Sequence, residues 1–145
     1  MGVTIHFKGQ LKGLSEYRQL MEIAKAHAGQ NDWPAEEIST EAARLLRVTD
    51  DEKNWDYEGP VSGIALFPHP DAEPLRLEFD TDLYVQEYVK TQFAGDDAHA
   101  AIVQFLREIE PLFLNLQVED EAEYWETNDR ELLQRHLFQC QQIHQ

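Results

Sequence analysis

The sequence predicts an α+β fold: a two-layer sandwich in the ferredoxin-like βαββαβ order, with one further helix at the C-terminal end. Three observations predict it. Val3, Ile5 and Phe7 alternate with Thr4, His6 and Lys8, the period of two of a half-buried strand. Tyr17, Leu20, Met21, Ala24 and Ala28 then recur at helical spacing. Two short apolar segments follow, then a strong helical stripe and another alternating segment.

Gly9 and Gly13 bracket the first turn, Ser15 is the predicted N-cap of the first helix, and Gly29 its stop. Residues 31–49 support two readings: a short helix opened by Pro34 with Ile38, Ala42 and Leu45, or a strand beginning at Leu45. The run Asp50–Glu58 is predicted to be an exposed acidic loop closed by Gly59 and Pro60. Val61–Phe67 and Leu75–Phe79 read as antiparallel strands joined by a rigid proline-rich loop, with Gly63 marking a bulge.

Residues 81–93 fit either a helix or a strand, ended by Gly95. Asp96 or Asp97 caps the next helix, whose buried stripe is Ala98, Ile102, Phe105, Leu106 and Ile109. Pro111 stops it. Val118–Trp125 alternates and reads as a strand with an acidic face at a sheet edge or over a cleft. Asn128 or Asp129 then caps a last helix.

A chain of 145 residues is one ordinary domain, spanning 1–145, and needs no disulfide or metal to fold. Cys140 is the single cysteine, so no internal disulfide is expected and a reducing compartment is. The first residues lack the basic and apolar regions of a signal peptide. No apolar run approaches the ~18 residues of a membrane span. A cytoplasmic location is therefore expected.

The net charge is −16, and it is lopsided. Residues 1–30 carry Glu16 and Glu22 against Lys8, Lys12, Arg18 and Lys25, so all the excess acid lies beyond them. Such a field repels nucleic acid and anionic membranes and draws basic proteins. Direct nucleic-acid and membrane partners are not expected.

Most catalytic signatures are missing. The seven glycines are scattered singly, so there is no phosphate loop; no paired cysteines, zinc-type histidine pair or nucleophile elbow occurs. Asp50, Glu52, Asn54 and Asp56 alternate like a calcium loop, but Trp55 stands where that loop needs glycine. Cys140 sits on an apolar helical stripe and reads as a core thiol. No metal site and no cofactor is expected.

Two sets of residues remain. Asp50, Asp51 and Asp56 surround Trp55 and Tyr57, and Glu121 and Glu123 neighbour Tyr124 and Trp125. Aromatics set among acids suit an anchor for a basic protein. The second set is Lys90, His99 and Glu121, which the ferredoxin-like order brings to one cleft. There Lys90 would act electrostatically, and His99 or Glu121 as acid or base.

The segments Pro68–Asp80, Lys90–Ala94 and Asp120–Thr127 resemble a family of small uncharacterised bacterial proteins. The resemblance supplies no activity and no catalytic residue. The expected function is an acidic protein-binding module that neutralises a basic partner, as an immunity protein does. The alternatives are a small-molecule- or metal-dependent enzyme using a polar, aromatic-walled cleft, and a regulatory or assembly domain.

Overall fold

The computed structural model describes residues 3–48 and 54–143, with residues 46, 48, 54–56 and 140–143 described by their backbone alone. Asp50 and Asp51 lie outside the described residues. In chain order the elements are β1 (Thr4–Gln10), α1 (Leu14–Asn31), β2 (Ala35–Val48), β3 (Asn54–Leu66), β4 (Leu75–Phe79), β5 (Tyr84–Lys90), α2 (Asp96–Ile109), β6 (Gln117–Asp120), α3 (Tyr124–Thr127) and α4 (Arg130–Ile143). A 3-10 turn at Glu110–Leu112 carries Pro111 just beyond α2, where its missing N–H does least harm.

The fold is mixed α and β, as expected, but the strands form two three-stranded antiparallel sheets, ordered β5-β1-β6 and β2-β3-β4. The single ladder of a ferredoxin-like sandwich is thus not what the strands make. Both flanking strands run antiparallel to β1. They are therefore parallel to one another, and α2 crosses between them. Inner faces of both sheets meet the helices in one core: Ile5, Phe7, Leu77 and Phe79 with Leu20, Ala24, Ile102 and Phe105. Each large apolar side chain among them, fully buried, contributes about 1.5–3 kcal/mol.

Both ambiguous segments are strands. Residues 35–48 form β2, which pairs with β3 into a long hairpin. β3 begins at Asn54, so 54–58 is ladder rather than the expected acidic loop. Cross-strand pairing offsets its polarity: Arg44 lies opposite Glu58 and its guanidinium donates to that carboxylate at 2.9 Å. Register shifts between Thr40 and Ala43, a bulge of the kind that bends and twists a strand.

Gly63 is required by a close approach. Its φ is +152°, and a Cβ there would lie 1.7 Å from the carbonyl oxygen of Leu77 on β4. Helix starts differ by a residue or two from the predicted caps. Gly13 and Gly95 precede α1 and α2, and Ser15, Asp96 and Asp97 fall inside the first turns. α1 runs past Gly29 to Asn31 and ends on Asp32 in a left-handed conformation. Asp129 does cap α4, its Oδ1 accepting from the Glu131 and Leu132 amides.

The strand expected over Val118–Trp125 stops at Asp120. Asp120 is the reason: its carboxylate accepts from the backbone N–H groups of Ala122, Tyr124 and Trp125. That turns the chain into α3 and ends the alternation.

Candidate functional site

Side chains on the outer face of β5-β1-β6 fall into two rows across the strands. Register places Glu119, His6 and Tyr88 in one, and Gln117, Lys8 and Gln86 in the other. Facing these rows is the far half of β2, with Arg44, Leu45 and Arg47. The open cleft between them has a volume of about 770 Å³, within the range of small-molecule sites. Tyr88 is 54% exposed and forms an aromatic wall, 6.1 Å from the His6 ring.

One end of the cleft is the seam where β4 and β5 adjoin without forming a ladder. Arg47 closes it. Its Nη1 donates to the Gln86 carbonyl at 3.1 Å, and Nη2 to the Glu78 and Tyr84 carbonyls at 3.4 and 3.3 Å. The guanidinium also lies over the Tyr84 ring and 3.9 Å from Asp80. Arg47 is 1% exposed, yet its Nε–H has no acceptor. A buried, unmet donor costs about 1–3 kcal/mol.

Glu87 borders the cleft at its seam end, with Glu78, from the edge strand β5. It shares a strand face with Val85 and Val89, both fully buried, and sits opposite Phe7. Burial pushes its carboxyl up from the usual 4.5 to about 7; the Glu78 charge adds to this, and Arg47 and Arg76 oppose it. Near neutral pH both protonation states are populated. Such a group can give or take a proton with little driving force in either direction, the property of a general acid or base.

A second polar cluster is closed to solvent. Thr91 Oγ1 lies 2.6 Å from His99 Nδ1, and His99 Nε2 lies 3.0 Å from Asp120 Oδ1. Thr91 and His99 are fully buried and Asp120 is 5% exposed. Burial raises the Asp120 carboxyl, but the His99 hydrogen bond and charge, with the Ala122 and Trp125 amides, outweigh it and hold it below the usual range. The residue types are those of a nucleophile relay. Their burial makes them a tie joining the end of β5, the start of α2 and the turn after β6.

The three residues expected at a cleft gather near that tie and not at the cleft. His99 is inside it. Glu121 Oε1 accepts from the Thr4 N–H at 3.1 Å, and its Oε2 sits 3.3 Å from His6 Nε2. Lys90 pairs with Thr4 across β5 and β1, with its side chain exposed. None of the three lines the cleft.

The expected partner-binding residues are dispersed. Tyr57 Oη donates to the Pro60 carbonyl at 2.8 Å and accepts from the Thr81 N–H. Tyr124 is buried, and Trp125 is half-buried with the Arg107 guanidinium 4.4 Å from its ring centre. Glu123 meets His136 at 3.1 Å. Cys140 falls in α4, and its side chain lies outside the described residues.

Arg47 and Glu87 were not singled out by pattern. Each is a charged residue at an apolar position, Arg47 within Leu45-Leu46-Arg47-Val48 and Glu87 between Val85 and Val89. Among the described residues, no group of three or more His, Cys, Asp or Glu is placed to hold a metal ion. Nor is any helix long and apolar enough to cross a membrane.

Compared with protein-family models, curated proteins and solved structures, the chain matches none of them. The resemblance in residues 68–80, 90–94 and 120–127 adds nothing to the site, which stands on its geometry.

Proposed function

We propose that the chain binds a small polar molecule in the cleft between β2 and the β5-β1-β6 face, with Glu87 exchanging a proton with it as general acid or base. One observation carries this: a carboxyl held near half-protonation at neutral pH, beside a second carboxylate and a buried arginine, at the border of an open cleft. Perturbed groups of that kind concentrate at functional sites. The test is a library of metabolites screened by 1H–15N chemical shifts, on wild type and Glu87→Gln. The proposal expects a compound whose shifts gather at residues 6–8, 44–47 and 86–88 and whose binding weakens in the variant. Hits that map elsewhere, or that bind Glu87→Gln equally well, would sink it.

The net charge of −16 favours a second reading, an acidic module that neutralises a basic protein. Exposed Glu36, Glu41 and Glu119 stand on the surface it would use. Association of that kind is steered by long-range attraction and slows as salt rises. A pull-down at low and high salt tests it: a single basic partner lost at high salt supports it, and an empty pull-down at both removes it.

A further inference from the structure

We infer that the free edge of β2 over residues 35–40 takes an extended basic segment of a partner protein as an added antiparallel strand, with an apolar residue of that segment opposite Ile38 and basic residues opposite Glu37 and Glu36. The inference is independent of the cleft, and it rests on the acidic-module reading for the sign of its partner.

β2 is the end strand of its sheet, with β3 on one side only. The Phe67 N–H donates to the Pro34 carbonyl at 2.9 Å, which adds a hydrogen-bonded pair to the β2–β3 ladder next to Ala35 and Leu66. Such pairs recur at every second residue of an antiparallel ladder. Glu36, Ile38 and Thr40 therefore bond β3, and Ala35, Glu37 and Ser39 turn their N–H and carbonyl groups outward. The edge is uncovered: residues 35–37 and 39–42 are exposed and Ile38 is half-buried. Register is regular from Ala35 to Thr40 and breaks only in the bulge before Ala43. A regular row of donors and acceptors is thus offered to an incoming strand.

Charge selects the occupant. Glu36 and Glu41 make no ion pair among the described residues. Glu37 meets Lys25 at 2.8 Å in a pair exposed on both sides, which stabilises little. A second copy would bring the same carboxylates to its own side of the seam, with a net charge of −16 on each chain, and like charges opposite one another destabilise a strand pair. A basic strand meets the opposite sign. Register puts Glu37 on the sheet face of Ile64 and Leu77, and Glu36 and Ile38 on the other. Adjacent glutamates on opposite faces call for adjacent basic residues in the partner, and the half-buried Ile38 calls for an apolar one. Antiparallel addition, the more stable pairing per residue, orders them apolar, basic, basic along the partner chain.

1H–15N shifts and amide exchange on the full chain test this with two acetylated, amidated hexapeptides, Thr-Thr-Val-Lys-Lys-Thr and Thr-Thr-Val-Glu-Glu-Thr. At low salt the lysine peptide is expected to bind about 10-fold tighter than the glutamate peptide, to shift the amides of residues 35–40, and to slow exchange at Ala35, Glu37 and Ser39. Ser39→Pro, which removes an outward donor and no bond to β3, should weaken it several-fold, and so should Glu36→Gln. Equal binding of the two peptides would remove the charge selection, and unchanged binding by Ser39→Pro would remove the backbone pairing. The same amides protected without peptide, in a dimer that grows with concentration, would make the occupant a second copy and overturn the basic strand. Shifts confined to other residues would overturn the edge and leave the acidic-module reading standing. No shift at millimolar peptide, with a basic protein still captured at low salt, would do the same; with nothing captured, both fall.

Discussion

Arg47 on β2 donates to the carbonyl oxygen of Gln86 on β5 at 3.1 Å, and that bond ties a strand of one sheet to a strand of the other. Together with its bonds to Glu78 and Tyr84 it replaces the ladder that β4 and β5 do not form. The cleft owes its closed end to one side chain.

Arg47→Lys is expected to destabilise the protein by about 2–4 kcal/mol, because a lysine cannot present several donors in a fixed plane to three carbonyls. Urea unfolding measures this. Hydrogen exchange should speed up first in β4 and β5, and an exchange pattern unchanged there would show that the seam holds without the guanidinium.

Glu87 makes stability depend on pH with a defined sign. Its folded value, about 7, lies above the usual 4.5. Between those values the folded state holds the proton that the unfolded state has released. This group's contribution is therefore complete below about 4.5, declines as pH rises to about 7, and stays lost above it. Glu87→Gln, which copies the neutral acid, should raise Tm relative to wild type at pH 8 and change it little at pH 4.5. Equal gains at both would mean that the carboxyl is not raised.

Asp120 has the opposite sign. Its folded value lies below the usual 3.8, so its stabilisation is present above that pH and lost as pH falls through the lower folded value. Asp120→Asn keeps the shape but puts an amide NH2 among four donors, from His99, Ala122, Tyr124 and Trp125. The expected loss at pH 7 is about 3 kcal/mol. The gap between variant and wild type should narrow below pH 3.8. Denaturant midpoints across pH check both statements.

Much of the frame was legible because periodicity reports burial. β1, β4 and the stripe of α2 follow their apolar spacing closely, and Leu75, Leu77 and Phe79 are buried while Arg76 is exposed. Periodicity failed where a long-range partner decides. In residues 35–48 the local signal reached only to a strand from Leu45; β3 decides the rest, by supplying the ladder. The end of β6 depends on one carboxylate taking up three amides, and the alternation beyond it was coincidental. The cleft was hidden for the same reason. Arg47 and Glu87 stand 40 positions apart in the chain and meet only because the hairpin folds back onto β5.

Gly63→Ala tests the close approach of β3 and β4. A methyl group would collide with the Leu77 carbonyl at a backbone angle that L side chains rarely adopt. Strain of this sort costs about 1–3 kcal/mol before the clash is counted, so a loss of about 3 kcal/mol or more is expected. Gly29→Ala is the control: its methyl group meets nothing within 4 Å inside a helix, and a gain of about 0.5–1 kcal/mol is expected.

The most direct measurement is the carbon-13 titration of the Glu87 side-chain carboxyl, assigned by comparison with Glu87→Gln. A midpoint near 7 is expected, moving down when a cationic ligand occupies the cleft. A midpoint between 4 and 5, unmoved by any ligand, would leave the cleft without its acid–base group and contradict the proposed function.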